Sequence, residues 1–201
     1  MQPSERQGIT RIEVLFALLV LGGVAYLLIP ALGTSRTEAR RAACLANLSQ
    51  IGGALESYLR DHENTWPYVA KLRTLEVHTP PWAVLPTVLS PYTSNKPDVY
   101  HCPADRRTLA ADSPLIKQFP TSTTWFETEG SSYEWMFGEA YGGKKVGQEE
   151  RSKAGVLGGL ERADQPLLAD FDVFHADGQG GAFNTLYADL RARSARTKGQ
   201  R

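Results

Sequence analysis

Gly8-Ile9-Thr10-Arg11-Ile12-Glu13-Val14 opens the stretch on which the fold turns. A polar leader ends at Gly8, an apolar residue follows, and a lone carboxylate, Glu13, stands at the edge of a long apolar run. That run, Val14 to Leu32, carries no charge over 19 residues. At about 1.5 Å per helical residue it matches a hydrocarbon core of roughly 30 Å. A charge inside such a segment costs roughly 2.5–3.5 kcal/mol at the helix centre and less near its end. Glu13 is therefore a functional candidate whose expected partner is a cation. Gly22-Gly23 and Pro30 are the weak points of the helix.

The helix is expected to continue beyond the apolar run as an amphipathic one. Cys44, Leu48, Ile51, Leu55 and Tyr58 recur at spacings of four, three, four and three, which places them on one face. Leu45 and Leu59 widen the stripe, while Arg40, Arg41, Ser49, Glu56 and Arg60 lie off it. Asp61-His62-Glu63-Asn64 and Trp66-Pro67 end it.

Gly8 to Val14 resembles the N-terminal processing site of type IV pilins and type II secretion pseudopilins. The resemblance implies cleavage by a prepilin peptidase between Gly8 and Ile9, methylation of Ile9, and Glu13 as the fifth mature residue. It also implies that Glu13 neutralises the N-terminal ammonium of a neighbouring subunit. Gly22 and Pro30 fall where the family often carries a helix-loosening glycine and a kinking proline. Ile9 replaces the family's usual phenylalanine, and Arg11 an apolar residue. The physics is consistent with the implied role. Cleavage frees an ammonium at Ile9, Glu13 lies one turn later on the same face, and a carboxylate is favoured near a helix N-terminus. A local Arg11–Glu13 anchor pair is the plainer alternative, and residues two apart do not face each other.

A secretory signal is the rival reading of the same segment. Arg6 and Arg11 supply charge, and Ala31-Leu32-Gly33 supplies a weak small-residue cleavage site. It would make Thr34 the first mature residue instead of Ile9. The apolar run exceeds the roughly 7–15 residues of a signal core. Orientation is contested within the sequence. Arg36, Arg40 and Arg41 after the span argue against an outward C-terminus under the positive-inside rule. The processing-site resemblance implies that outward placement.

The 201 residues include 22 basic and 22 acidic side chains, so net charge gives no argument for nucleic acid, and none is expected as a partner. Without leader and span roughly 165 residues remain, enough for one domain with its own core. Arg191, Arg193, Arg196, Lys198 and Arg201 make a basic, solvated tail. From Trp66 onward, prolines cut the chain into short elements. Trp82 to Leu89 reads as a short helix or strand, Pro97 to Pro103 as a short strand and turn, and Ser131 to Phe137 as an aromatic strand. Gly142 to Lys153 reads as a hairpin tip or disordered loop. Leu167 to Phe174 and Ala182 to Ala192 read as two strands around Asp177-Gly178-Gln179-Gly180-Gly181.

A second resemblance narrows the group. Cys44-Leu45-Ala46-Asn47-Leu48-Ser49-Gln50-Ile51-Gly52 with Tyr58, then Cys102-Pro103-Ala104-Asp105, is similar to a large pseudopilin-like group. That group closes on a His, a glycine-rich stretch, an Asn and an Asp-Gly pair. His175, Gly180-Gly181, Asn184 and Asp189 resemble this ending, with Leu190 in place of the glycine. Thirteen residues separate His175 from Asp189 where nine are usual.

Cys44 and Cys102 are the only cysteines. Outside the cytoplasm they are a candidate disulfide; as part of an apolar stripe they are equally two reduced core thiols. Two cysteines alone make no zinc site. Asp170, Asp172, Asp177 and Asp189 are a candidate calcium set, hard oxygen ligands that serve equally as turn residues. No other cofactor is expected. His175 is a candidate general base with no identifiable nucleophile, and Gly142-Gly143-Lys144-Lys145 lacks P-loop spacing. Trp66, Trp82, Trp125 and Trp135 either fill the core or form a partner-binding patch.

The expected fold is α+β and pilin-like: a long N-terminal helix, its inner half membrane-spanning, packed on a small antiparallel sheet. Its expected divisions are leader 1–8, transmembrane helix 9–33, amphipathic continuation 34–62, extracytoplasmic domain 63–192 and flexible basic tail 193–201. The expected role is a non-enzymatic structural subunit of a type II secretion pseudopilus or type IV pilus-like filament. Prepilin peptidase, other pilin-like subunits and membrane lipid are its implied partners. Its implied place is the inner membrane, single-pass, with the domain in the periplasm. A membrane-tethered module binding protein or polysaccharide is the alternative, and a hydrolase using His175 ranks last.

Overall fold

The computed structural model describes residues 11–71, 73–74, 82–106, 124–136, 142–146, 164–171, 174–176 and 181–196. Gly8, Ile9, Asp172, Asp177, Gly180 and the side chain of Pro30 lie outside the described residues. The chain divides into two compact units, Met1–Ala39 and Arg40–Arg201.

Helix α1 covers Arg11–Asp61, with Glu13 in its first turn. In the first unit the large apolar side chains that are described face outward on every side. From Ile12 to Tyr26 they are between 47% and 79% exposed.

In the second unit the expected stripe is the buried face. Cys44, Leu48, Ile51 and Leu55 are fully buried, Leu59 nearly so, and Tyr58 packs at the edge of the core. Each fully buried leucine or isoleucine contributes about 1.5–3 kcal/mol relative to exposure. The helix stops where the sequence predicts. Glu63 and Asn64 turn into left-handed conformation (φ 52° and 57°), and the Asn64 N–H donates to Leu59 O at 2.7 Å. Gly142 to Val146 then folds back beside Asn64–Trp66 through a Thr65–Lys145 bridge.

The sheet against which this face packs is antiparallel. Its strands are β1 (Tyr133–Trp135), β2 (Pro166–Asp170), β3 (His175–Ala176), β4 (Gly181–Tyr187) and β5 (Ala192–Arg196). β2 and β3 pair with one edge of β4 and β5 with the other, while β1 pairs with β2. β2 and β3 are thus two pieces of one interrupted strand, and the sheet is four strands wide. Leu167, Leu168 and Leu186 meet Leu48, Ile51 and Leu55 of α1 in one core with Trp66, Tyr100 and Phe174. Arg41 of α1 also donates to Ser194 Oγ of β5, at 2.9 Å from Nε. The fold is α+β, a helix on a small antiparallel sheet.

Several expected elements are corrected. Pro97–Tyr100 is a 3₁₀ turn and not a strand: Pro97 fixes the first φ and the His101 N–H closes onto Asp98 O at 3.1 Å. The strand expected over Ala182 to Ala192 breaks after Tyr187. Leu190 adopts φ 62° there, and its N–H donates to Tyr187 O at 2.8 Å. The chain then returns as β5, so Arg193–Arg196 belong to the sheet and not to a flexible tail. Of the two readings of Trp82 to Leu89, short helix or strand, the helix is found, as α2 over Leu85–Leu89. Trp125–Glu129 is an unanticipated helix, α3, started by a capping box in which Thr124 Oγ1 accepts the Glu127 N–H.

Candidate functional site

Two features carry chemistry. The first is the start of α1, where a carboxylate precedes exposed apolar residues that form no stripe. A helix apolar all round is buried by something in its working state, a protein core or lipid. Among the described residues no helix is long and apolar enough to cross a membrane. The side chains at 25 and 27–34, which belong to the uncharged run of the sequence, lie outside the described set. Gly22 and Gly23 are both open, with nothing within 4 Å of a Cβ built on either.

The second is a buried polar cluster built where α1 meets the sheet. Cys44 of α1 and Cys102 form a disulfide with a Cα–Cα distance of 4.9 Å across 58 residues. His175 of β3 places Nε2 3.6 Å from Cys102 Sγ and 3.5 Å from Asp170 Oδ2. The same Asp170 oxygen accepts the Asn184 N–H at 2.7 Å. The interrupted strand explains this meeting. The register His175 with Ala182 sets the imidazole on the β4 edge just beyond Asp170, the last residue of β2.

Burial pushes the Asp170 carboxyl up to about 7, opposed by the Asn184 N–H and reinforced by Asp105. Burial likewise pushes the His175 imidazole down to about 4, with Arg41 and Arg106 adding to the effect. Neutral forms are favoured on both sides, as desolvation demands. Among the described residues, His175 Nδ1, Asp170 Oδ1 and both polar atoms of the Asn184 amide find no hydrogen-bond partner.

Around this cluster lies a positioning network. Asp105 Oδ1 accepts the Trp125 N–H at 3.1 Å, and its Oδ2 accepts the Phe126 N–H at 2.8 Å. Ser132 Oγ donates to Asp105 Oδ2 at 2.7 Å and accepts the Cys102 N–H at 2.9 Å. Asp105 therefore anchors the start of α3 and, through Ser132, the disulfide loop. Asn47 of α1 holds the same loop by donating Nδ2 to His101 O at 2.8 Å.

Cys44, Asn47, Cys102, Asp105, His175 and Asn184, scattered in the sequence, thus converge. The sequence reading names Asp170 as a calcium candidate and misses its place in the core beside His175 and the disulfide. The signal for it lies in β2, where Leu168 and Asp170 are two apart and both point inward. The calcium set is not assembled among the described residues: Asp170 lies in the core, while Asp189 accepts from the Arg191 N–H and pairs with Arg193. Cys44, Cys102 and His175 bring one sulfur or ring nitrogen each within 4.8 Å of the others, both sulfurs being held in the disulfide. His175, as a base, faces a disulfide sulfur and a carboxyl in place of a nucleophilic hydroxyl. Trp66, Trp125 and Trp135 are core residues. Trp82 is half-buried, edge-on to the exposed Tyr68 ring at 5.4 Å.

No protein-family model, no curated protein and no solved structure matches the chain.

Proposed function

We propose that this chain is a pilin-like structural subunit, cut between Gly8 and Ile9 by a prepilin peptidase and assembled through α1 into a secretion pseudopilus or pilus-like filament. The observation that carries the reading is the change of pattern along one helix. Directly after Glu13 the large apolar side chains described from Val14 to Tyr26 are exposed on all sides, whereas residues 44–59 are apolar on one buried face only. An all-round apolar helix suits lipid before assembly and neighbouring helices after it. The Glu13 carboxylate then finds the freed ammonium of the next subunit. The Cys44–Cys102 disulfide suits a domain outside the cytoplasm.

Mass spectrometry of the mature protein should find Ile9 first, methylated. Glu13→Ala should insert into the membrane normally yet fail to enter filaments. A mature start at Met1 or Thr34, or normal incorporation of the variant, overturns the proposal. The tethered binding module is the second reading, favoured by the exposed Tyr68 edge-packed on Trp82. Cross-linking separates the two, since assembly yields a ladder of helix-to-helix adducts and a tether yields monomers.

A further inference from the structure

Two cysteines are too few for a zinc site, and the fold adds the missing donors. Cys44 Sγ, Cys102 Sγ and one ring nitrogen of His175 lie within 4.8 Å of one another on three buried residues. Asp170 Oδ2 stands 3.5 Å from His175 Nε2; it lies outside the group that the two sulfurs and the imidazole form, and would close on the ion from the His175 side. Around a tetrahedral zinc ion, with Zn–S about 2.3 Å and Zn–N or Zn–O about 2.0–2.2 Å, neighbouring donors are roughly 3.3–3.8 Å apart. The Nε2–Sγ separation of 3.6 Å and the Nε2–Oδ2 separation of 3.5 Å both fall in that interval. The two sulfurs alone do not, because they are bonded to each other.

We propose that the protein with its disulfide opened binds one zinc ion through Cys44, Cys102, His175 and Asp170. A dithiol reductant supplies the two electrons and two protons that break the S–S bond, and it leaves as its own disulfide. Zinc then displaces both thiol protons, and the two thiolates move apart to accept it. Thiolate and imidazole donors select zinc over calcium or magnesium. Four protein donors leave no open position, so the site is structural and not hydrolytic. Its surroundings suit a metal. The Asn184 N–H orients Asp170 Oδ2, as outer partners of metal ligands do. His175 Nδ1, Asp170 Oδ1 and the Asn184 amide are further buried polar atoms that find no partner among the described residues. The ion would tie α1 to β2 and β3 where the disulfide ties it to the Cys102 loop. One cluster thus offers two exclusive staples, one oxidised and one metal-bound. The inference does not rest on filament assembly.

The test uses full-length protein in detergent micelles, reduced with a dithiol, freed of it under argon and titrated with cobalt(II), then zinc(II). One cobalt per reduced chain should bind with the sulfur-to-cobalt charge-transfer band and the visible bands of tetrahedral cobalt, and zinc should bleach both. The oxidised protein should take up none. His175→Ala and Asp170→Asn should each weaken cobalt binding at least tenfold. Their oxidised forms, folded by circular dichroism, control for misfolding. If reduction unfolds the wild type, zinc should refold it. The proposal is overturned by a reduced wild type that takes up no cobalt and gains no structure from zinc, by absence of the sulfur band, or by equal binding in His175→Ala.

Discussion

Helix α1 holds two stretches that look alike in composition and differ in arrangement. Between residues 12 and 26 large apolar side chains occur on every face and all are exposed; between 44 and 59 they keep to one face, and that face is the core. The second stretch has found its partner within the chain, in Leu167, Leu168 and Leu186 of the sheet. The first presents apolar surface in directions that a single packed face cannot cover. Spacing, more than hydrophobicity, therefore separates a helix that completes a domain from one that needs an environment.

The comparison breaks most severely at the disulfide. Replacing both Cys44 and Cys102 with serine removes a constraint across 58 residues, and the domain should lose about 4 kcal/mol by the chain-entropy model. Urea unfolding followed by tryptophan fluorescence reads this directly, since Trp66, Trp125 and Trp135 all sit in the core. A smaller cut separates the two stretches residue against residue. Leu48 is fully buried and Leu18 is 60% exposed. Leu48→Ala should cost about 3 kcal/mol in the same experiment, and Leu18→Ala less than about 0.5 kcal/mol. Equal costs would mean that the stretches do not differ in kind.

Acid and base probe the sheet on which the second stretch packs, through His175 of β3 and Asp170 of β2. In the disulfide-bonded protein His175 titrates near 4 instead of 6.5, so the unfolded chain binds its proton first and stability falls as pH drops from 6.5 to 4. Asp170 titrates near 7 instead of 3.8, so the folded chain holds that proton longer and stability falls as pH rises from 3.8 to 7. The two slopes oppose each other, and the wild type should be nearly flat between about 4 and 6.5. Asp170→Asn should expose the histidine slope, losing up to about 3 kcal/mol toward acid. His175→Gln should expose the carboxyl slope, with a loss of similar size toward neutral pH. Slopes of the same sign in both variants would show that the groups do not titrate as a buried neutral pair.

What was legible in the sequence follows the same division between local and tertiary causes. The α1 stripe and its stop at Asp61 depend on spacing and local breakers, and both stood open to reading. The capping box of α3 was equally local, in Thr124-x-x-Glu127, but it begins a helix of only five residues with no periodicity to draw notice. β5 was hidden because Arg193 and Arg196 read as tail charge. The turn before it was hidden because Leu190 takes the left-handed position where Asp-Gly would have announced one. Val99 and Tyr100 favour strands by type, yet Pro97 starts a 3₁₀ turn. The His175–Asp170–disulfide cluster is purely tertiary. It needs α1 laid on the sheet and β2 interrupted before His175, and neither can be read from spacing.

The finest test uses two pairs of adjacent glycines, one in each stretch. A Cβ on Gly52 would meet Leu186 Cδ1 and the Leu190 carbonyl oxygen, both at 3.0 Å, while one on Gly53 meets nothing within 4 Å. Alanine gains about 0.8–1 kcal/mol over glycine in a helix interior when space is free. Gly53→Ala should therefore stabilise the domain by about that amount. Gly52→Ala should fall at least about 1 kcal/mol below it, because one of the atoms in the way is backbone and overpacking opposes the gain. At Gly22 and Gly23 no such difference exists within the chain, for both are open. Alanine at either should behave alike in protein held in micelles. If the chain assembles as proposed, the two should differ in filaments, where a neighbouring helix gives that stretch the sidedness it lacks alone. Identical behaviour of Gly22→Ala and Gly23→Ala in filaments would show that no helix packs closely there.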